Sequence, residues 1–201
     1  MQENKPQKKK IIIGIDLAST PKNPTGLAVW RKKAISTCNI YRDEDITATI
    51  KKHAPTLVAI DAPLRLPRGK GMRKADKDMH RMGYPVLPPL FPAMKRLTSR
   101  AITLTQHTQG LGFPVIEIHP SSTRKALQMP TKDWATIQTI LIQMGLRGDP
   151  RRRVLTPHEL DATTAALTAH LHLEGKTKLI GDTKEGHIVV PQKSSWMRLR
   201  L

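Results

Sequence analysis

Three aspartates stand where an acid is costly unless something compensates it. Asp16 closes the apolar run Ile11-Ile12-Ile13-Gly14-Ile15, and Asp61 closes Leu57-Val58-Ala59-Ile60. Asp161 lies one turn inside a stretch rich in small residues, with Ala162, Ala165, Ala166 and Ala169 after it. A charge in such surroundings must be paired, protonated or bound to a cation. Taken singly, Asp16 and Asp61 also read as turn formers or helix caps. Asp161 does not, because its position is past the cap. Carboxylates gathered at one point repel one another, and divalent cations relieve that repulsion. Two hard ions roughly 3.5–4 Å apart activate a water and stabilise the leaving oxygen of a phosphodiester. Oxygen donors suit Mg2+ or Mn2+ better than zinc.

Further candidates surround these three. Glu117 alternates with Val115, Ile116 and Ile118, so one face of a strand must accept a charge there. It reads equally as a fourth metal ligand or as the partner of an arginine. His158 precedes Asp161 by one helical turn and shares its face, as an accessory group for product release or phosphate bridging, or as a surface histidine. His119 and His172 are the other acid/base candidates. Glu159 needs no role beyond a capping box with Thr156. The lone Cys38 excludes a disulfide within the chain and a cysteine-based zinc site.

Several elements must position these groups. The β-branched runs ending at Asp16 and Asp61 predict buried strands. Gly26 to Trp30 and Ala34 to Tyr41 predict two more, forming an antiparallel meander with the first. Asp43 to His53 has helical spacing at Ile46 and Ile50, and Pro55 ends it. Residues 62–89 contain Pro63, Pro67, Pro85, Pro88 and Pro89 together with Arg65, Arg68, Lys70, Arg73 and Lys74. They predict a basic insertion with one short helix near Arg73 to Met82, able to clamp phosphate. Helices are expected from near Pro92 to Thr108, over Ser121 to Gln128 and over Asp133 to Met144. Pro114 to Ile118 predicts a short buried strand, and Arg147 to Arg153 a second basic loop. Thr156, Pro157 and Glu159 spell a helix start, and the helix runs to Leu173. Thr177 to Pro191 reads as a hairpin turning near Gly181-Asp182.

The 201 residues suit one domain over 10–191, with a disordered basic arm at 1–9 and a basic tail at 192–201 to which the pattern assigns no structure. Lysine and arginine outnumber aspartate and glutamate by 34 to 16, a formal net charge of +18. Nucleic acid, DNA or RNA, is the polyanion that would relieve such self-repulsion. With aromatic residues at 3%, base stacking does not dominate recognition. No apolar run approaches the roughly 20 residues of a membrane helix, and Met1 to Lys10 holds no apolar stretch resembling a secretion signal. The expected compartment is the cytoplasm, with no membrane partner; a homodimer is compatible with the sequence.

The order of these motifs resembles the ribonuclease H-like superfamily. Ile12-Ile13-Gly14-Ile15-Asp16-Leu17-Ala18, followed by Thr25-Gly26-Leu27-Ala28-Val29, is similar to its opening hairpin. Val58-Ala59-Ile60-Asp61-Ala62-Pro63-Leu64 is similar to its fourth strand. The helix from His158-Glu159-Leu160-Asp161-Ala162 resembles the aspartate-bearing last helix of Holliday-junction resolvases. More narrowly, Arg73-Lys74-Ala75-Asp76, Glu117-Ile118-His119-Pro120 and Gly186-His187-Ile188-Val189-Val190-Pro191 resemble domain of unknown function 429, described as predicted nucleases. The resemblance spans Lys10 to Pro191. It implies a five-stranded mixed sheet flanked by helices, with Asp16, Asp61 and Asp161 as catalytic residues and metal ligands. Resolvases of this fold often carry a second acid about a turn from the helix aspartate. Here Ala162, Thr163, Thr164 and Ala165 follow Asp161, so a fourth ligand must come from elsewhere.

Two other classes compete with a nuclease. One is a catalytically silent nucleic-acid-binding module of the same fold. The other is a phosphotransferase of the actin-like group, which needs two such lobes and a glycine-rich adenosine segment, neither of which the sequence contains. If Asp161 is a metal ligand, Asp161→Asn is expected to hold or raise stability without metal; if it is a buried structural acid, to lower the melting temperature with no selective loss of metal response.

Overall fold

The computed structural model describes residues 10–201. The expected arm at 1–9 lies outside the described residues. In chain order the elements are β1 (Ile11–Asp16), β2 (Thr25–Arg31), β3 (Ala34–Ile40), α1 (Asp43–His53), β4 (Leu57–Asp61), α2 (Lys74–Arg81), α3 (Lys95–Gly110), β5 (Val115–Ile118), α4 (Pro120–Ala126), α5 (Trp134–Gln143), β6 (Arg147–Gly148), α6 (Asp149–Arg152), α7 (Pro157–Leu173), β7 (Thr177–Asp182) and β8 (Gly186–Pro191).

The meander forms as its turn signals predict: β1 and β2 pair antiparallel, as do β2 and β3. α1 then carries the chain across the sheet. Asp43, Glu44 and Asp45 lie in its first turn and Lys51, Lys52 and His53 in its last, each matching the helix dipole. β4 returns parallel to β1, and β5 lies parallel to β4. The order β3-β2-β1-β4-β5 is the mixed five-stranded sheet that the resemblance implies. The full sheet has eight strands, however, in the order β6-β3-β2-β1-β4-β5-β8-β7. The β7–β8 hairpin joins because β5 would otherwise leave an open edge, and unpaired backbone groups of a buried strand need partners. At the other edge β6 pairs with β3. There the expected second basic loop begins with this two-residue strand and continues into α6.

The two faces of the sheet follow from strict alternation along the strands. Ile13, Ile15, Val58 and Ile60 point to one face, where they meet Ile46 and Ile50 of α1 and Ala101 and Leu104 of α3. Ile12, Ala28, Trp30, Leu57 and Ala59 point to the other, beneath α7 and α5. The same period of two sends Asp16 and Asp61 to the α7 face.

α7 carries the cap written in its sequence. Thr156 and Glu159 form a capping box, and Pro157 occupies the first turn. Most of its length is buried, and its small residues let it lie against the strands. A Cβ on Gly14 would sit 2.1 Å from the Ala162 carbonyl oxygen; one on Gly26 would sit 2.0 Å from that of His158. Helix backbone and strand backbone therefore touch where those two glycines lie.

The segment over residues 62–89 supplies a third core rather than a loose loop. Ala75 and Met79 of α2 pack with Tyr84, Val86 and Ala126 on Ile180, Ile188 and Val190 of the hairpin. The tail is also docked. Ser194 and Trp196 donate backbone hydrogen bonds to Ala126 and Leu127, Leu201 donates one to Met144, and the Leu201 side chain is buried. No helix among the described residues is long and apolar enough to cross a membrane.

Gly14→Ala should therefore lower unfolding free energy by about 3 kcal/mol or more, or prevent folding, because the intruding methyl meets backbone that cannot step aside. Gly110→Ala, at the end of α3 with open space around its Cβ position, should be neutral or slightly stabilising. Urea denaturation of the two variants checks the contrast; equal stabilities would refute the close-contact account.

Candidate functional site

The parallel register of β1 and β4 sets Asp16 directly beside Asp61. Both lie at the carboxyl ends of their strands, the edge at which open α/β sheets bind ligands. α7 crosses this end from above. Its first turn brings His158 Nδ1 to 2.7 Å from Asp16 Oδ2. One turn later Asp161 Oδ1 accepts a 2.5 Å hydrogen bond from Nη1 of Arg124, a residue of α4. Arg124 is 1% exposed, and its guanidinium lies 5.4 Å from the centre of the Trp134 ring. Nη1 also reaches Thr164 Oγ1 at 3.3 Å, while Nε has no partner among the described residues.

Burial and mutual repulsion set the protonation of the acids. Burial pushes Asp16 up to about 6, opposed by its hydrogen bond to His158 and reinforced by the charge of Asp161. Asp61 is raised well above the ordinary carboxylate range, first by burial, then by Asp16 and Asp161; Arg124 pulls the other way. Asp161 is raised by burial, against the charge and hydrogen bond of Arg124. Three aspartates, one histidine and one buried arginine thus form a single electrostatic unit. A cavity of about 270 Å³ opens beside it, walled by Asp16, Asp61, Leu87, Met94 and Leu97.

Glu117 falls outside this unit. Its register partner is Ile60 and not Asp61, so alternation sends it to the opposite face of the sheet. There Oε1 accepts from Arg73 Nη2 at 2.6 Å, and Oε2 accepts from Arg73 Nη1 and the Leu64 backbone N–H, both at 2.8 Å. Burial still raises its carboxyl, with Arg73 opposing. The reading of Glu117 as a fourth ligand gives way to the reading as an arginine partner. Arg73 is corrected with it: at 1% exposure, and bonded also to Asp76, it is a core cation and not a phosphate contact. Arg65, Arg68, Lys70 and Lys74 are exposed. Glu185 ties their segment to the hairpin, accepting from the backbone N–H of Arg68 at 2.8 Å and of Lys74 at 2.7 Å.

The remaining histidines divide. His119 Nδ1 lies 2.7 Å from Ser122 Oγ, and burial followed by the nearby Arg124 charge pushes the ring down to about 4. His172 pairs with Thr177 Oγ1, away from the aspartates. Glu159 caps α7 as expected and also binds Arg153 and Thr37. Burial would raise its carboxyl, but these partners hold it at about 2. Arg124 is the site residue the sequence reading missed: one of 34 basic residues, it carries no spacing signal.

A hard divalent ion suits part of this arrangement. Asp61 is an oxygen donor whose repulsion from its neighbours is only partly offset, and Asp16 stands beside it. Asp161 is engaged by Arg124, and no group of three or more histidine, cysteine or acidic side chains able to hold a metal occurs among the described residues. The chain's own residues therefore fit an ion at Asp16 and Asp61, not a closed three-aspartate cage.

A mixed-sheet α/β protein with an acid cluster at the carboxyl edge of its parallel strands is the class these features define. The chain belongs to the family described as "Protein of unknown function (DUF429)", whose profile matches residues 14–115. Among solved structures it is similar to Thermus thermophilus RuvC, at 16% identity and a TM-score of 0.45 over 82% of this chain and 96% of that one. It is also similar to T. thermophilus RuvC in complex with a Holliday junction substrate, at 16% identity and a TM-score of 0.43 over 83% and 96% of the two chains. Both likenesses are too loose to transfer a role to any residue. No curated protein matches the sequence.

The electrostatics predict how stability in a chelator responds to pH. Between the ordinary aspartate range near pH 4 and about 6, folded Asp16 keeps a proton that the unfolded chain has released. The contribution of Asp16 should therefore fall as pH rises through that window and level off above it. At pH 7, Asp61→Asn should raise the chelated melting temperature by a few degrees, since it removes repulsion at a buried carboxylate. Asp161→Asn should lower stability by about 3 kcal/mol, because it strips buried Arg124 of its bonded counter-ion. The bond to Arg124 favours the structural branch of the expectation for Asp161. Thermal melts in EDTA from pH 4 to 8 check all three; a stabilised Asp161→Asn would refute the pairing.

Proposed function

We propose that the protein is a nuclease that hydrolyses phosphodiester bonds of DNA or RNA with a divalent ion bound at Asp16 and Asp61. The observation that carries this reading is the side-by-side register of two half-buried carboxylates at a sheet edge that opens into a cleft. Bound Mg2+ or Mn2+ would supply a water of lowered pKa and charge stabilisation on the phosphate oxygens. Asp16 and Asp61 hold and orient. His158, 47% exposed and bonded through Nδ1 to Asp16, can pass a proton through Nε2 to or from a substrate oxygen. Asp161 acts with Arg124, whose buried guanidinium opposes the effect of burial on that carboxylate and holds it in place. The phosphate grip falls to the exposed Arg65, Arg68, Lys70 and Lys74, on a chain of net charge +18. In this proposal residues 10–191 act as one functional domain, and residues 62–89 wall the cleft.

The Arg124–Asp161 pair favours one second reading, a silent nucleic-acid binder of the same fold, because it already supplies a cation to the cluster. A cleavage panel of single-stranded, duplex and branched DNA and RNA in Mg2+ and Mn2+ separates the two. The nuclease reading expects Asp16→Asn and Asp61→Asn to lose cleavage by about 10²-fold or more, with binding in EDTA preserved. If neither ion shifts the melting temperature and nothing is cut, the binder reading stands instead. Neutralising Arg68, Lys70 and Lys74 together should reduce the salt dependence of binding by up to ~3 units of slope. Arg73→Gln should instead destabilise the fold, since it unpairs Glu117 and Asp76 in the core.

A further inference from the structure

A second and larger cavity, of about 750 Å³, lies on the other side of Glu117, between α3, the residues after β4 and the β7–β8 hairpin. Its size falls within the ordinary range of small-molecule sites. It exists because the sheet opens there. β5 and β8 share only the pairs Glu117↔Ile188 and Ile118↔Val189, so Val115 and Ile116 part from Gly186 and His187. Glu117 lines both cavities, and its ion pair with Arg73 is the partition between them.

The lining is built of three kinds of group. Thr105, on α3, is 7% exposed, and its hydroxyl has no hydrogen-bond partner among the described residues. Thr103, two residues earlier, satisfies its own one turn back on Ser99 O at 3.2 Å, whereas the hydroxyl of buried Thr108, which does not line the cavity, is also without a partner among the described residues. A buried hydroxyl left unpaired is uncommon and points to a missing partner. Gln106 and Gln109 lie on the same wall, and each amide offers both a donor and an acceptor. Arg65 spends Nη1 on Thr183 O at 3.1 Å, and it and His187 both line the cavity. Ile102, Val115 and Leu179 give the apolar surface. The one carboxylate in the lining, Glu117, has both oxygens bonded to Arg73, which it shares with Asp76, and points its charge into that pair.

We propose that this cavity binds a nucleotide, with its phosphate on Arg65 and His187, its base against Ile102, Val115 and Leu179, and the base edge on Thr105 and the two glutamines. A bare phosphate would leave the apolar wall and the amides unused. A simple hydrocarbon would leave Arg65, His187, the amides and the Thr105 hydroxyl unused. The nucleotide is either free or the 5′-phosphorylated end of a strand, since both present the same chemistry. The site requires no metal and shares only Arg65 with the cleavage reading.

Calorimetric titration of the full chain in EDTA tests it. The ligands are the four nucleoside 5′-monophosphates, a 5′-phosphorylated single-stranded oligonucleotide and inorganic phosphate. The proposal expects at least one nucleotide arm to bind more tightly than inorganic phosphate. Thr105→Val should weaken that binding at least fivefold, and Arg65→Gln at least tenfold. Thr105→Val should also leave the ligand-free melting temperature equal or higher, because the hydroxyl it removes is unpaired. Binding by the oligonucleotide alone, with the same dependence on Thr105 and Arg65, assigns the strand end as the source. Phosphate binding as tight as nucleotide, nucleotide binding indifferent to both substitutions, no binding in any arm, or a Thr105→Val protein that melts lower would each overturn the proposal. Failure of the nuclease reading shows separately, as absent cleavage with this binding intact.

Discussion

Backbone contact between α7 and the first hairpin is the constraint on which the rest depends. Gly14 and Gly26 leave no room between strand and helix, so the height of α7 over the sheet is set by atoms that cannot be compressed. That height places the first turn of the helix beside Asp16 and its second turn above the same edge. A side chain at either glycine would lift the helix and part His158 from Asp16. The alanines and threonines along α7 serve the same end, because larger residues would hold the helix off the strands even with the glycines in place. The acid cluster is thus a product of packing density, and its charges are tolerated where packing puts them.

Two buried arginines make the arrangement tolerable, one on each face of the sheet. Arg124 answers Asp161 on the α7 face, and Arg73 answers Glu117 and Asp76 on the other. Their surroundings differ in completeness. Arg73 uses Nε and both terminal nitrogens on two carboxylates. Arg124 leaves Nε unsatisfied and leans on the Trp134 ring. A fully bonded ion pair rigidifies its surroundings, and a partly bonded one leaves freedom to reorganise. The first therefore belongs to the architecture, and the second to the site where ligands are expected to come and go.

Features encoded locally were legible in the sequence. Apolar runs that stop at aspartate announced β1 and β4 with the acids at their ends, and Thr156-Pro157 with Glu159 announced α7. The β7–β8 hairpin was visible as a hairpin, but its joining the sheet was not, since that depends on the open edge of a strand seventy or so residues earlier. Glu117 was visible as a charge in an apolar strand. Its face was not, because facing depends on the register with β4, and a shift of one residue would have reversed it. Arg124 lay hidden for a similar reason: only the packing of α4 against α7 distinguishes it from every other arginine. The docked tail escaped because single leucines among basic residues carry no period.

The sequence span of the site bears on the order in which the molecule assembles during synthesis. β1 to β4 are local or nearly so and can pair as soon as they emerge, whereas α7 begins at Pro157. Until then one face of the sheet, with Ile12, Ala28, Trp30, Leu57 and Ala59, lacks its principal covering helix. Uncovered apolar faces of this kind engage chaperones or other chains. Over the same interval Asp16 and Asp61 stay hydrated and ordinary in their acidity. Only the late arrival of α7 completes their crowding, so the nascent chain carries the two acids without the neighbours that raise their pKa values in the folded protein.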